Sequence, residues 1–200
     1  MHPMAASRGI AAAASALVLA LTLLLMLPGC ATPQALTVTP EVRVSAADVG
    51  GAKPVQVSVA DTRASQALGE QVYYEPGDFT VRGDFAAIVR EALASGLERL
   101  GFKVAPNAGR ELRVEIVALD YGVRERSTLS RHAEAISRLK AGCVRDEKLQ
   151  LERTHRGELR KPVFLTAHDE PTNSKFVSEA VSSSINAVLA DRELISCLAQ

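Results

Sequence analysis

Three cysteines carry whatever thiol chemistry this chain has. Cys30 stands directly behind Leu27-Pro28-Gly29, which closes an apolar run over residues 10–26 interrupted only by Ser15 and Thr22. A cysteine thiolate is a strong nucleophile and a metal ligand, so each of the three needs a reading. Gly29 is small enough to let a peptidase cut between residues 29 and 30. The other two thiols, Cys143 and Cys197, have no histidine beside them that would activate a nucleophile. His132, His155 and His168 form no i, i+4 pair and flank no second cysteine. His168-Asp169-Glu170 is the one dense group of hard ligands; three contiguous residues at a strand end read as a solvated turn rather than a metal site. There is no G-x-S-x-G elbow, no P-loop and no G-x-G-x-x-G. Ser182-Ser183-Ser184 falls inside a predicted helix, where small residues permit close packing. No catalytic residue, no metal site and no enzymatic activity are expected.

The apolar run has what a secretory leader needs: a positive start in Arg8, backed weakly by His2, then an uncharged core and small residues before the cut. Its 17 residues exceed the usual ~7–15 of such a core and fall short of the roughly 20 of a spanning helix. Ending in Leu-Pro-Gly-Cys, it resembles the lipobox of bacterial lipoproteins; the competing reading is an uncleaved anchor with an incidental cysteine. The resemblance implies a signal peptide over residues 1–29, a lipidated tether over residues 30–35 and a single domain over residues 36–200. It also implies a diacylglycerol and an N-linked acyl chain of the palmitate class on Cys30, with no other cofactor. Three such chains give on the order of 30 kcal/mol of membrane affinity at ~0.8 kcal/mol per methylene. The residue after Cys30 is Ala31 rather than Asp, which by the enterobacterial sorting pattern implies the inner leaflet of the outer membrane, facing the periplasm.

The full chain carries 23 basic and 23 acidic residues. Loss of residues 1–29 removes Arg8 and no acid, leaving 171 residues with a formal charge of −1. That length builds one domain with a real core, and that charge offers nothing to nucleic acid. In an oxidising compartment Cys143 and Cys197 form either a disulfide or two separate thiols. A bridge would close a loop of about 55 residues, worth roughly 4 kcal/mol in the chain-entropy model.

The elements that must position these residues follow from periodicity. Residues 36–44 alternate apolar and polar, and Pro40 makes them an edge strand or an extended arm. Val55, Val57 and Val59 give a half-buried strand. Asp61-Thr62-Arg63 behind it is either a ligand site or a turn in which the arginine pairs with the aspartate. Residues 64–83 form a long connection, with a short strand at residues 71–74 or 79–82. Tyr73 and Tyr74 within it are either exposed partner contacts or cover for the core. Residues 84–100 are a helix capped by Asp84 and closed by Gly101, with Phe102 folding back in a Schellman motif. A short strand begins at Phe102 and stops at Pro106. Residues 111–123 are a strand, apolar on both sides beyond Val117, as in a central strand. Residues 133–141 have helical composition, but as a strand they set Ala135, Ser137, Leu139, Ala141 and Cys143 on one face, with Leu149 and Leu151 of the same parity. We take the strand reading, with a hairpin turn at His155-Arg156-Gly157 leading into residues 159–167. Pro162 then requires an edge or a bulge. Residues 174–198 are an amphipathic helix with Ser174 as its N-cap.

This order resembles the YajG family of small bacterial lipoproteins. The likeness lies in the lipobox, the strand from Val55 to Arg63 with Leu68-Gly69 behind it, the helix ending Leu100-Gly101-Phe102-Lys103-Val104, the strand Leu112-Arg113-Val114-Glu115-Ile116 and the C-terminal helix. The hairpin region, with Cys143 and its many charges, departs from it. The expected fold class is α+β: an antiparallel or mixed sheet of about five to six strands with two main helices packed on one face. The expected role is that of a non-enzymatic envelope lipoprotein, held to the membrane by its lipid and working by binding an envelope protein or by assembly. The alternative is an auxiliary lipoprotein of a lipid or solute transport system, holding an apolar ligand between helix and sheet. No nucleic acid and no small-molecule substrate are expected.

Overall fold

The structure, a computed structural model, describes residues 34–68, 79–127, 130–163 and 169–200. In chain order the strands are β1 (Gln34–Leu36), β2 (Pro54–Asp61), β3 (Phe79–Val81), β4 (Lys103–Val104), β5 (Arg110–Ser127), β6 (Ser130–Arg145) and β7 (Lys148–Val163). The helices are α1 (Phe85–Arg99), α2 (Glu170–Ala190) and α3 (Arg192–Ala199). Five strands form a mixed sheet in the order β4-β2-β5-β6-β7; β2 runs parallel to both β4 and β5, and the β5-β6-β7 meander is antiparallel. β1 and β3 form a separate parallel pair. The fold is α+β, with the helices packed against the sheet.

Local chemistry explains α1. The Asp84 carboxylate accepts from the Ala87 amide at 3.1 Å, satisfying a donor that the first turn leaves open. At the other end Gly101 takes φ +85°, its amide donates to the Glu98 carbonyl and the Phe102 amide to that of Leu97, both at 3.0 Å. This is the Schellman geometry, and it buries Phe102 and launches β4 alongside β2.

The inner face of the sheet carries Leu112, Val114, Ile116, Leu119 and Tyr121 from β5 and Ala133, Ala135, Ser137, Leu139, Ala141 and Cys143 from β6, all buried. Against them lie Val89, Leu93 and Leu97 of α1 and Val177, Val181, Ile185 and Val188 of α2, also buried. The opposite face carries ion pairs: Lys140 lies 3.5 Å from Glu115 and 3.1 Å from Glu152, and Arg113 lies 2.8 Å from Glu111. β5 is therefore covered on one side only. The register slips between Ile116 and Ala118, and the extra residue, Val117, is 43% exposed. The apolar run there reflects a bulge, not a strand buried on both faces.

Four expectations change. The turn between β6 and β7 is at Asp146 and Glu147, with φ of +48° and +63°, while His155, Arg156 and Gly157 lie inside β7. Two left-handed residues in a row give the twist that a tight hairpin needs, and here neither is glycine. A second slip between Cys143 and Val144 pairs Cys143 with Leu151 and Val144 with Leu149. Leu149 thus leaves the inner face and is 51% exposed. The last helix begins earlier, capped by the Asp169 side chain on the Thr172 amide at 3.0 Å, so Ser174 lies one turn inside it. It also breaks: Asp191 is extended (φ −72°, ψ 102°) and its carboxylate accepts the Glu193 and Leu194 amides, starting α3. Pro162 does sit on an edge strand, opposite His132 near the end of β7.

Gly157 has a packing reason. A Cβ there would lie 2.0 Å from the Ala180 carbonyl oxygen and 2.6 Å from the Ser184 nitrogen. The backbone of α2 rests directly on β7, and the Ser184 and Ser137 hydroxyls bond at 2.8 Å beside that contact. Gly157→Ala is expected to destabilise the domain by about 3 kcal/mol, because backbone cannot yield as a side chain does. Gly142→Ala meets the exposed Leu149 side chain at 2.8 Å, which can swing away, and the Leu151 carbonyl oxygen at an ordinary 3.4 Å, and should stay within ~1 kcal/mol of the parent. Denaturant midpoints of the two variants test the contrast.

Candidate functional site

Residues 37–44 follow β1 as an extended arm laid along α2. Its inward side chains alternate: Leu36 and Val38 are buried, and Val42 and Val44 pack on the core. Its amides point at the helix. Thr37 donates to the Ser174 hydroxyl at 2.9 Å, Thr39 to Ser178 at 3.0 Å, Glu41 to Ser182 at 2.8 Å and Arg43 to the Asn186 side-chain oxygen at 2.8 Å. The two periodicities match. Four helical residues rise about 6.0 Å and two extended residues advance about 6.6 Å, so every second amide meets every fourth side chain.

Each acceptor is held in place by its own donation. Ser178 donates back to the Ser174 carbonyl at 2.7 Å and Ser182 to that of Ser178 at 2.6 Å, while Ser174 donates to the Glu170 carboxylate at 2.9 Å. With their protons engaged, the hydroxyls present lone pairs to the arm. Asn186 bonds the arm twice, since its amide also donates to the Glu41 carbonyl at 2.9 Å. At the start of the arm the Tyr121 hydroxyl donates to Asn173 at 2.6 Å, and Asn173 donates to Gln34 at 2.8 Å. Burial pushes the Tyr121 hydroxyl up to about 12, so it remains a donor.

Beside the arm runs a groove of about 990 Å³, floored by α2 and walled by the arm and β7. Glu41, Glu158, Glu170 and Glu179 line it against Arg43 and Lys175, together with Leu159, Pro171 and Ser183. The lining is mildly acidic, and its Ser174, Ser178 and Ser182 hydroxyls are engaged with Glu170 and with α2 carbonyls. Among the described residues no group of three or more His, Cys, Asp or Glu side chains is arranged to hold a metal, and no helix is long and apolar enough to cross a membrane.

The residues singled out from sequence fall in several places. Gly29, Cys30, Tyr73, Tyr74 and His168 lie outside the described residues. Cys143 and Cys197 are joined by a disulfide with Cα atoms 6.3 Å apart, fastening α3 to β6. Arg63 pairs with Asp61 through two bonds of 2.8 and 2.6 Å and lies 5.2 Å from the centre of the Phe85 ring. That hydrogen bonding holds the Asp61 carboxyl below its ordinary value. Asp61-Thr62-Arg63 thus closes the end of β2. His155 is partly buried with its Nε2 3.6 Å from Asp191, at the joint between α2 and α3. The serine ladder was missed in the sequence; the signal was there in hydrogen-bonding side chains at 174, 178, 182 and 186, one every four residues.

Fold and site together describe a small α+β protein in which residues 37–44 are bound along α2 beside a groove lined largely by polar and charged side chains. The chain belongs to the Lipoprotein_16 family, described as uncharacterized lipoproteins, whose model matches residues 40–199. No curated protein matches it. A solved Xanthomonas campestris protein of the DUF330 family shares the fold, with a TM-score of 0.52 and 13% identity, covering 82% of this chain and 94% of its own. A minor lipoprotein from Acinetobacter baumannii has a TM-score of 0.45 and 7% identity, covering 70% of this chain and 91% of its own.

Two measurements check the geometry. Ser178→Ala removes the acceptor for Thr39 and should speed exchange of that amide about tenfold at unchanged global stability, read by hydrogen exchange. Burial holds His155 below its ordinary 6.5, with Asp191 opposing in part. The unfolded chain therefore takes up this proton before the folded one does, so stability is full above pH 6.5 and falls as pH drops below it. His155→Gln should flatten that slope in melts between about pH 7.5 and 5.

Proposed function

We propose that the chain is a lipid-anchored envelope lipoprotein that works by binding another envelope protein through the groove beside its arm. Catalysis forms no part of this reading. The observation that carries it is the groove itself. It is roomy, polar and mildly acidic, and it runs along the arm that leads back to Cys30. Membership of a lipoprotein family and the Leu-Pro-Gly-Cys sequence support acylation of Cys30, with the chain acting in the manner of YajG-type lipoproteins. Ala31 supports retention in the inner leaflet of the outer membrane, with the body in the periplasm. The alternative role, holding an apolar ligand between helix and sheet, is not favoured. At the crossing of α2 with β6 and β7, helix backbone lies against Gly157 and the Ser184 hydroxyl bonds that of Ser137.

Cys30→Ser should abolish labelling by palmitate and move the protein from the membrane fraction to the soluble periplasm. A photo-crosslinking residue at Lys175, in the groove, should yield one reproducible adduct absent when the same probe replaces Arg138 on the outer face of the sheet. Identical diffuse patterns at both positions would remove the groove from the account.

A further inference from the structure

A row of positive charge crosses the end of the sheet. Arg110 of β5 stands directly opposite Arg145 of β6, and Arg145 directly opposite Lys148 of β7. Like charges on facing strands repel; Arg138 opposite Arg156 is a second such pair, and there Glu158 lies against Arg156. Arg113 has Glu111, Lys140 has Glu115 and Glu152, and Arg156 has Glu158, each within 4 Å. The side chains of Arg110 and Arg145 have no such partner among the described residues. That of Arg110 makes no hydrogen bond or ion pair there, and that of Arg145 only donates to the Gln200 side chain at 3.3 Å. The Nε atoms of both are shielded from solvent and unpartnered.

These groups open into a cleft of about 380 Å³ lined by Gly109, Arg110, Arg145, Asp146, Gln150 and Gln200. Asp146 is the one acidic side chain in its lining. The negative end of α3 nearby is already served, because Lys53 donates to the Ala199 carbonyl. Two adjacent guanidinium groups with free N–H donors match the paired oxygens of a carboxylate or phosphate. We propose that this cleft binds a small oxyanion, a carboxylate or phosphate group, between Arg110 and Arg145.

Arg110 is the first residue of β5, and Tyr121, which joins Gln34 through Asn173, stands eleven positions further along that strand. A dissolved anion and a lipid headgroup present the same oxyanion chemistry, and the arms of the test separate these two sources.

The test uses the lipidated full-length protein in phosphatidylcholine nanodiscs, following arginine side-chain Nε–H resonances by NMR. Inorganic phosphate and succinate are titrated in separate arms at constant ionic strength. Saturable shifts of Arg110 and Arg145, with Arg113 unmoved, are expected in at least one arm. Arg145→Gln should weaken the apparent affinity at least tenfold, and Gln150→Glu, which places a competing carboxylate in the cleft without touching either arginine, should do the same. Linear shifts equal to those in sodium chloride, or affinity unchanged in both variants, would overturn the site. Shifts produced by doping the disc with phosphatidylglycerol, with none in the phosphate and succinate arms, would overturn a dissolved oxyanion as the ligand. Mass spectrometry of Cys30 reports separately on acylation, so failure of the anchor leaves the titration of the cleft readable.

Discussion

The contact between the backbone of α2 and Gly157 of β7 sets the position of everything else on the inner face. A helix usually rests on a sheet through side chains at about 10 Å between layers. Here a residue without a side chain lets helix carbonyl and strand come together, and the Ser137–Ser184 hydroxyl pair fits beside them. With α2 fixed in height and rotation, its opposite side presents Ser174, Ser178, Ser182 and Asn186 in a line. The break at Asp191 then turns α3 down to the sheet, where the Cys143–Cys197 bridge holds it.

The arm answers a problem of unpaired amides. An extended segment outside a sheet has donors that only water or side chains can satisfy. Matching a two-residue advance to a four-residue rise lets one helix satisfy every second amide. Hydrophobic side chains on the alternate positions fill the core beneath. Polar and apolar periodicities thus agree over the same residues, which is why residues 37–44 stay extended without a strand partner.

Much of this was legible because it is local. The caps of α1, the alternation of β2 and the parity of β6 all follow from neighbours a few residues apart. What failed was set by distant contacts. Gly157 resembled a turn residue in sequence, but its lack of a side chain serves α2. Asp146 and Glu147 make the true turn, and a left-handed pair without glycine gives little signal. Ser174 suited an N-cap, yet its hydroxyl is claimed by Thr37. Of the candidate site, the two thiols could be paired only as an option from sequence. The ladder needed the helix boundary and the arm to be placed together before its spacing meant anything.

The direction of the arm has a mechanical consequence. It runs parallel to α2, with Thr37 at Ser174 and Arg43 at Asn186. Tension transmitted from residue 34 along the helix axis is shared by all the rungs at once, as in a lap joint under shear. Tension across the axis opens them one at a time, as in peeling. A body pulled sideways and a body pulled outward would therefore let go of this segment at very different forces.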